Sequence, residues 1–342
     1  MEFQQNVSLS NYSTMKLGGT ASCLLEVEDI NSMIQAIKIA KKNNQPIIMI
    51  GGGSNTIWKD EGFPGLVIVN RICGFEIVSQ EEIGTYINIG AGEIWDEVVA
   101  KSVNMGLSGI ECLSLIPGRA GATPIQNVGA YGQEISQTLV TVTAYDMLSE
   151  TLLTIPASDC NFGYRQSRFN KTDKGRYFIT GITLLLSKLK PMPPFYPSLS
   201  EYLANNNIFN YTSSIIRQAI IDIRSSKLPD PNIIANCGSF FRNPIIEPSS
   251  FSLLAETYPN IPNWSTEDGL IKLSAAWLID QVGFHDYYDS ETGIATYPTQ
   301  TLVLINKTAR STADLLKFAD KIKKAVNERF GIELTQEPIL LP

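Results

Sequence analysis

The sequence predicts an α+β protein of more than one domain, and three observations carry that prediction. Short apolar strands alternate with amphipathic helical stretches across the first half of the chain. Two glycine-rich segments, GGGSN at Gly51–Asn55 and IPGRAGATPIQNVGAYG at Ile116–Gly132, lie among them. The first follows a strand, but its glycine spacing and the non-helical stretch after it do not suit a doubly wound dinucleotide fold. A proline-dense run, KLKPMPPFYPS over 188–198, then marks a boundary before a second set of helices and strands.

The elements follow in order. Asn11–Gly18 is polar and leads into a strand over Ala21–Val27. Asp29 is placed to cap a helix carrying Ile30, Ile34 and Ile37 at helical spacing. Asn43–Asn44 ends it, and Pro46–Ile50 reads as a short buried strand. Strands are expected over Gly65–Asn70 and Tyr86–Ala91, then a helix over Gly92–Gly106 with Ile94, Val98 and Val99 inward. Thr138–Asp146 alternates as a half-buried strand and pairs with Leu152–Ile155 across the turn at Leu148–Glu150. Tyr177–Leu186 closes this block. Beyond the prolines, Ser213–Arg224 is helical with Ile216, Ala219, Ile220 and Ile223 on one face. Lys227–Phe241 reads as a loop, Leu273–Gln281 as a short helix and Gln300–Ile305 as a strand. The last helix spans Thr312–Phe330, with a cap from Ser311 and Asp314, an apolar stripe of Leu315, Ala319, Ile322 and Val326, and Gly331 as its stop.

Composition narrows the function. Hydrophobic residues make up 44% and charged residues 18%, an ordinary balance with enough chain for sizeable cores. A net charge of −7 argues against nucleic acid or an anionic membrane as partner. There is no basic–apolar leader pattern and no apolar run of the ~18 residues a membrane span needs, which points to the cytoplasm. Cys23, Cys73, Cys112, Cys160 and Cys237 are scattered without paired spacing, so they read as buried thiols rather than as disulfides or a metal site. His285 is the single histidine, which rules out multi-histidine metal centres.

Segment 116–132 is the strongest functional signal. Its glycines and prolines suit neither helix nor strand, and Arg119 is its only charged residue. Ile116, Ile125, Val128, Ala130 and Tyr131 suggest a loop that is largely covered. A preorganised loop with N–H groups facing an anion fits this pattern better than a surface loop. Three further places can carry chemistry. Tyr164–Arg165, near Arg168, is either a solvated basic turn or a bidentate carboxylate clamp. Ser239 in NCGSFFRN is either a turn residue or a hydroxyl donor; no nucleophile elbow surrounds it, and Cys237 beside it reads as packing. Glu337 follows the last helix, and the apolar ILLP end after it suggests a docked tail.

These motifs together resemble the MurB family, the UDP-N-acetylenolpyruvoylglucosamine reductases. The pattern IPGxxGxxPIQNxGAYG is similar to the family's flavin signature, GGGSN to its pyrophosphate loop and GSFFRNP to its GSFFxNP motif. RSSKLPDP, SAAWLIDQVGF and QTLVLIN extend the likeness over nearly the whole chain, and the proline-rich insert resembles the tyrosine loop of type I members. Departures are local: Arg119 and Ala120 stand where the family has small or hydroxyl residues and valine, and LTQEP replaces LxPE, which leaves Glu333 as a competitor of Glu337.

The resemblance implies an FAD-binding α+β fold of the vanillyl-alcohol oxidase/PCMH type with a C-terminal substrate domain. It implies an FAD region over 1–187 with loops 51–56 and 116–132, a tyrosine loop over 188–208 and a substrate domain over 209–342. FAD would be bound non-covalently by Gly51, Gly52, Gly53, Ser54, Asn55, Thr56, Pro117, Gly118, Gln126, Asn127, Gly129, Ala130 and Tyr131. Arg165, Ser239 and Glu337 would be catalytic, and Tyr164, Tyr196, Lys227, Asn243 and Gln300 would bind the nucleotide-sugar. The reaction would be the NADPH-dependent reduction of UDP-N-acetylglucosamine enolpyruvate in peptidoglycan synthesis, by a cytoplasmic monomer without a metal. The alternatives are another non-covalent flavin oxidoreductase of the same wider fold, and a flavin-binding protein without catalysis, which would have no need of Arg165, Ser239 and Glu337 together.

Overall fold

Local signals with a clear physical cause fold as read. In the computed structural model, which describes residues 1–266 and 268–342, Asp29 accepts the Ser32 N–H at 2.8 Å and opens helix α1, Ile30–Lys42. Its buried face of Met33, Ala36, Ile37 and Ala40 packs with Leu25, Leu66 and Ile68. The chain groups into two compact units, the first made of 1–7, 21–52 and 64–224, the second of 8–20, 53–63 and 225–342.

The first unit holds two sheets. A four-stranded sheet runs in the order Gln4–Ser8, Thr20–Val27, Phe63–Asn70, Ile47–Ile50, and its last two strands are parallel with Ile47 opposite Leu66. A five-stranded antiparallel sheet runs Thr151–Pro156, Leu139–Asp146, Tyr177–Ser187, Gly84–Gly90, Phe75–Gln80. Helix α2, Trp95–Asn104, sets Val98, Val99 and Val103 into a core with Ile87, Ile89 and Leu184. Helices α3, Pro197–Asn205, and α4, Ser213–Lys227, form a satellite core in which Leu199, Leu203, Ile216 and Ile220 enclose Cys112. The sequence reading groups α4 with the C-terminal domain; its apolar face packs within the first unit, which extends to Arg224.

The second unit is centred on α7, Thr312–Phe330, whose bounds match the expected ones. Its stripe meets Leu278, Ile279, Leu302 and Leu304 in one core. Helices α5, Pro248–Thr257, and α6, Ala275–Gln281, flank a three-stranded sheet of Ile245–Ile246, Ile271–Leu273 and Asn263–Ser265. A four-stranded sheet runs Asn236–Ser239, Gln300–Asn306, Ile294–Tyr297, Tyr288–Asp289. The C-terminal Ile339–Leu341 pairs in parallel with Thr56–Trp58.

Several expectations are corrected. Ser239 ends a strand rather than sitting in a loop, because residues 236–239 find a partner in Gln300–Asn306. Ile94 is 41% exposed, since α2 starts one residue later and only its following turns face the core. Cys73 is exposed while the other four free cysteines are buried, because it lies on the irregular turn before Phe75–Gln80. Helix α3 forms inside the proline-rich insert, with Pro197 at its first position, where the missing N–H costs nothing.

A half-buried ion pair ties the five-stranded sheet to its turns. Asp146 accepts both Arg176 donors at 2.9 and 2.7 Å, together with the Leu148 N–H and the Ser149 hydroxyl. The Arg176 hydrogen bonds hold the Asp146 carboxyl well below the usual carboxylate range. A depressed carboxyl contributes stability that is complete above its unfolded value of about 3.9 and is lost as pH falls through the lower folded value. Asp146→Asn should therefore be less stable than the native chain at neutral pH and should show a flatter decline below about pH 4, read from urea melts across pH.

Candidate active site

The two glycine segments meet backbone to backbone. A β-carbon at Gly52 would stand 3.1 Å from Gly118 Cα, and one at Gly51 would stand 3.3 Å from the Arg119 side chain. Arg119 donates to the Gly92 carbonyl at 2.8 Å, which pins the guanidinium beside the crossing, and burial holds its pKa below the usual arginine range. The following residues are locked onto the turn before α2: Ala120 N–H donates to Glu93 and Gly121 N–H to Ala91. The unit division falls inside GGGSN. In the second unit Gly53 has φ +69°, and a β-carbon there would lie 2.1 Å from the Tyr12 carbonyl, so only glycine fits.

The far end of 116–132 is a hairpin. Gly129 pairs with Glu134 and Ala130 with Gln133, leaving Tyr131 and Gly132 as a two-residue turn with φ of +49° and +84°, the signs of a type I′ turn. Asn127 is buried, and its side chain is committed within the unit: it donates to Glu134 and to the Gly163 carbonyl and accepts the Ser136 N–H. Arg165, with φ +54°, reaches the Gly129 carbonyl at 2.9 Å and stands 5.3 Å from the centre of the Tyr164 ring. Tyr196 is 41% exposed, and its ring meets that of Tyr131 edge to face at 5.8 Å. Arg165, Tyr164, Tyr131 and Tyr196 all belong to the first unit.

In the second unit the C-terminal tail runs beside the Ser239 strand. Phe240 N–H donates to Leu302, Arg242 N–H to Thr335, and Glu337 N–H to the Phe240 carbonyl at 2.9 Å, so Glu337 is registered one residue from Ser239. Two residues on, Ile339 N–H donates to Asn55 at 2.9 Å, which joins the tail to the second half of GGGSN. Glu333, by contrast, is exposed on the run after α7. Cys237 is fully covered; burial and then the charge of Glu337 push its thiol up to about 12, so it stays protonated. Lys227 is exposed and its carbonyl accepts the Thr299 hydroxyl, Gln300 opens its strand opposite Tyr297, and Asn243 accepts the Ala275 N–H at the start of α6. The Thr56 hydroxyl is buried without a partner in the protein.

Supporting residues escape sequence reading because their partners are remote. Glu111 accepts the Gly109 N–H and the Gln133 amide, and Gln133 accepts the Cys112 N–H, which anchors the hairpin. Asp96 and Arg217, 121 positions apart, form a bidentate pair.

These loops fit a dinucleotide such as FAD. The close approach of Gly52 and Gly118 holds the two backbones together, and Arg119 adds positive charge with no carboxylate in either glycine loop. Among the described residues no cluster of histidine, cysteine or acidic side chains suits a metal ion, and no helix is long and apolar enough to cross a membrane.

Comparison with known proteins agrees. Residues 21–152 match the FAD binding domain model, which makes this an FAD-dependent oxidoreductase fold. Residues 230–341 match the C-terminal domain model of UDP-N-acetylenolpyruvoylglucosamine reductase. Curated reductases of that name from Alcanivorax borkumensis and Thermobifida fusca are each 36% identical, over 98% of this chain and 96% of the former, and 99% of this chain and 98% of the latter. The solved reductase from Thermus caldophilus superposes over the full length of both chains with a TM-score of 0.67 at 21% identity, which supports the fold. The chain belongs to the UDP-N-acetylenolpyruvoylglucosamine reductase family.

Gly121 tests how the loop's seating affects the flavin, since a β-carbon there would lie 2.4 Å from the Ala91 side chain. Gly121→Val should weaken FAD binding about tenfold or more by displacing the loop, measured by fluorescence titration of the flavin-free protein.

Proposed function

We propose that Arg165, Ser239 and Glu337 carry the reduction of the enolpyruvyl group of UDP-N-acetylenolpyruvoylglucosamine to the lactyl group of UDP-N-acetylmuramate, with NADPH as reductant. The observation that supports this reading is the bond from the Glu337 N–H to the Phe240 carbonyl, which sets the Glu337 backbone one residue from Ser239, in a chain whose single histidine is exposed. FAD, held without a covalent bond by residues of 51–56 and 116–131, supplies the hydride when bound.

Hydride addition at C3 of the enolpyruvyl group leaves negative charge at C2 and on its carboxylate. Arg165 suits that carboxylate, because a planar guanidinium binds it bidentately and the Gly129 carbonyl already orients one end of the fork. Ser239 delivers the proton to C2, and Glu337 stabilises the developing charge in its protonated form or through a donor it orients. Cys237 takes no part, because its buried thiol gives up no proton at working pH. Lys227 pairs with the diphosphate, while Tyr164, Tyr196, Asn243 and Gln300 hold the rest of the nucleotide-sugar. In this reading 1–187 serves the flavin, 188–208 covers the substrate and 209–342 binds it, in a cytoplasmic monomer that contributes to peptidoglycan synthesis.

Ser239→Ala should accept reducing equivalents from NADPH at near the native rate, seen as bleaching of the flavin colour. Its recolouring by the enolpyruvyl substrate should be slower by at least about a hundredfold. Recolouring at the native rate would remove Ser239 from the mechanism. Tyr196→Phe should raise the KM for the nucleotide-sugar about tenfold, the cost of one lost hydrogen bond, and leave bleaching by NADPH unchanged in stopped-flow traces.

A further inference from the structure

Helix α4 directs two arginines at the segment that precedes and forms the flavin loop. Arg217 grips both oxygens of Asp96 at 2.7 and 2.9 Å, and Asp96 in turn accepts the Leu115 N–H at 2.6 Å. Arg224, two turns further along α4, donates to the Leu115 carbonyl at 3.3 Å and to the Tyr131 phenol. Both backbone groups of Leu115 are therefore held by this network. Leu115 has φ +54° and Tyr131 φ +49°, a backbone region that costs a non-glycine residue energy unless its surroundings impose it. One guanidinium thus reaches the residue just before segment 116–132 and the residue near its end.

Packing alone does not account for an arginine at this position. Its Nε is buried without a partner, and burial pulls its pKa below the usual arginine range while raising that of the Tyr131 phenol. The groups facing it are Tyr131, Asp96 and the Leu115 carbonyl. An apolar side chain of similar length would avoid the desolvation cost but would bind neither group.

We propose that Arg224 is a positioning residue for flavin: by bridging the Leu115 carbonyl and the Tyr131 phenol, it closes segment 116–132 into its binding shape before FAD arrives. Preorganisation of this kind appears as affinity, because the loop no longer has to be ordered on binding. The inference rests on the reading that this segment binds FAD.

The test is titration of flavin-free protein with FAD, followed by fluorescence quenching, for the native chain, Arg224→Met, Arg224→Lys, Tyr131→Phe and the Arg224→Met/Tyr131→Phe double variant. Arg224→Met and Tyr131→Phe should each weaken FAD binding about tenfold, the double variant should bind no more weakly than Arg224→Met, and Arg224→Lys should fall between Arg224→Met and the native chain. A purely structural arginine would lower the melting temperature and leave the FAD Kd unchanged. Affinity within about twofold of native for Arg224→Met, or losses that multiply in the double variant, overturns the proposal. If Arg224→Met does not fold, native-like affinity of both Arg224→Lys and Tyr131→Phe overturns it equally. A native chain that binds no FAD would instead overturn the underlying reading of the loop.

Discussion

The structure of the first unit depends on one crossing where main chains approach too closely for side chains. A β-carbon at Gly90 would lie 2.4 Å from the Ile72 carbonyl oxygen, and one at Gly92 would lie 2.4 Å from the Arg71 carbonyl carbon. Hydrogen bonds exploit the same proximity: Gly92 N–H donates to Ile72, Ala91 N–H to Thr180, and Trp95 N–H to Gly118. The crossing joins the five-stranded sheet, the start of α2 and the segment Gly118–Gly121 into one rigid joint. Glycine matters here for approach distance, and segment 116–132 inherits its position from that joint.

The second unit fixes its polar segments by other means. Short backbone ladders do this: the tail strand Ile339–Leu341 lies along Thr56–Trp58, and Gln336 bridges Phe241. Asp60 accepts the N–H groups of Thr312 and Ala313 at the start of α7, so the segment after GGGSN also anchors the longest helix of the unit. Phe240 and Phe241 are buried edge to face with centroids 5.1 Å apart, which fixes the strand end from which Ser239 projects.

Much of this was legible in the residues, and the losses have physical causes. Elements with a cap, an apolar period and a stop, such as α1 and α7, match the expected bounds closely because all three signals are local. Strands that owe their existence to a remote partner were missed: Thr56–Trp58 and Ile339–Leu341 are only three residues each and pair across most of the chain. The glycine-rich motifs and the Ser239 and Glu337 segments proposed for the site stand out by residue type. The hydrogen-bonding commitment of Asn127 and the arginines of α4 could not, since their roles depend on groups that only the fold brings near. Glu337 and Glu333 are indistinguishable by charge; in the fold the Glu337 N–H bonds to Phe240, while Glu333 is exposed.

The make-up of the second unit has a consequence for biosynthesis. Its core combines Met15, Leu17 and Ile57 with residues from 237 onward. At translation speeds of about 5–20 residues per second, those early apolar side chains wait on the order of ten seconds for the strands and helices that cover them. During that interval the nascent chain exposes segments with no native partner, while most of the intervening sequence has already emerged and is able to fold. Such a sequence of events makes final assembly dependent on long-range closure, the slow kind of contact, and gives ribosome-associated chaperones a defined window in which to act.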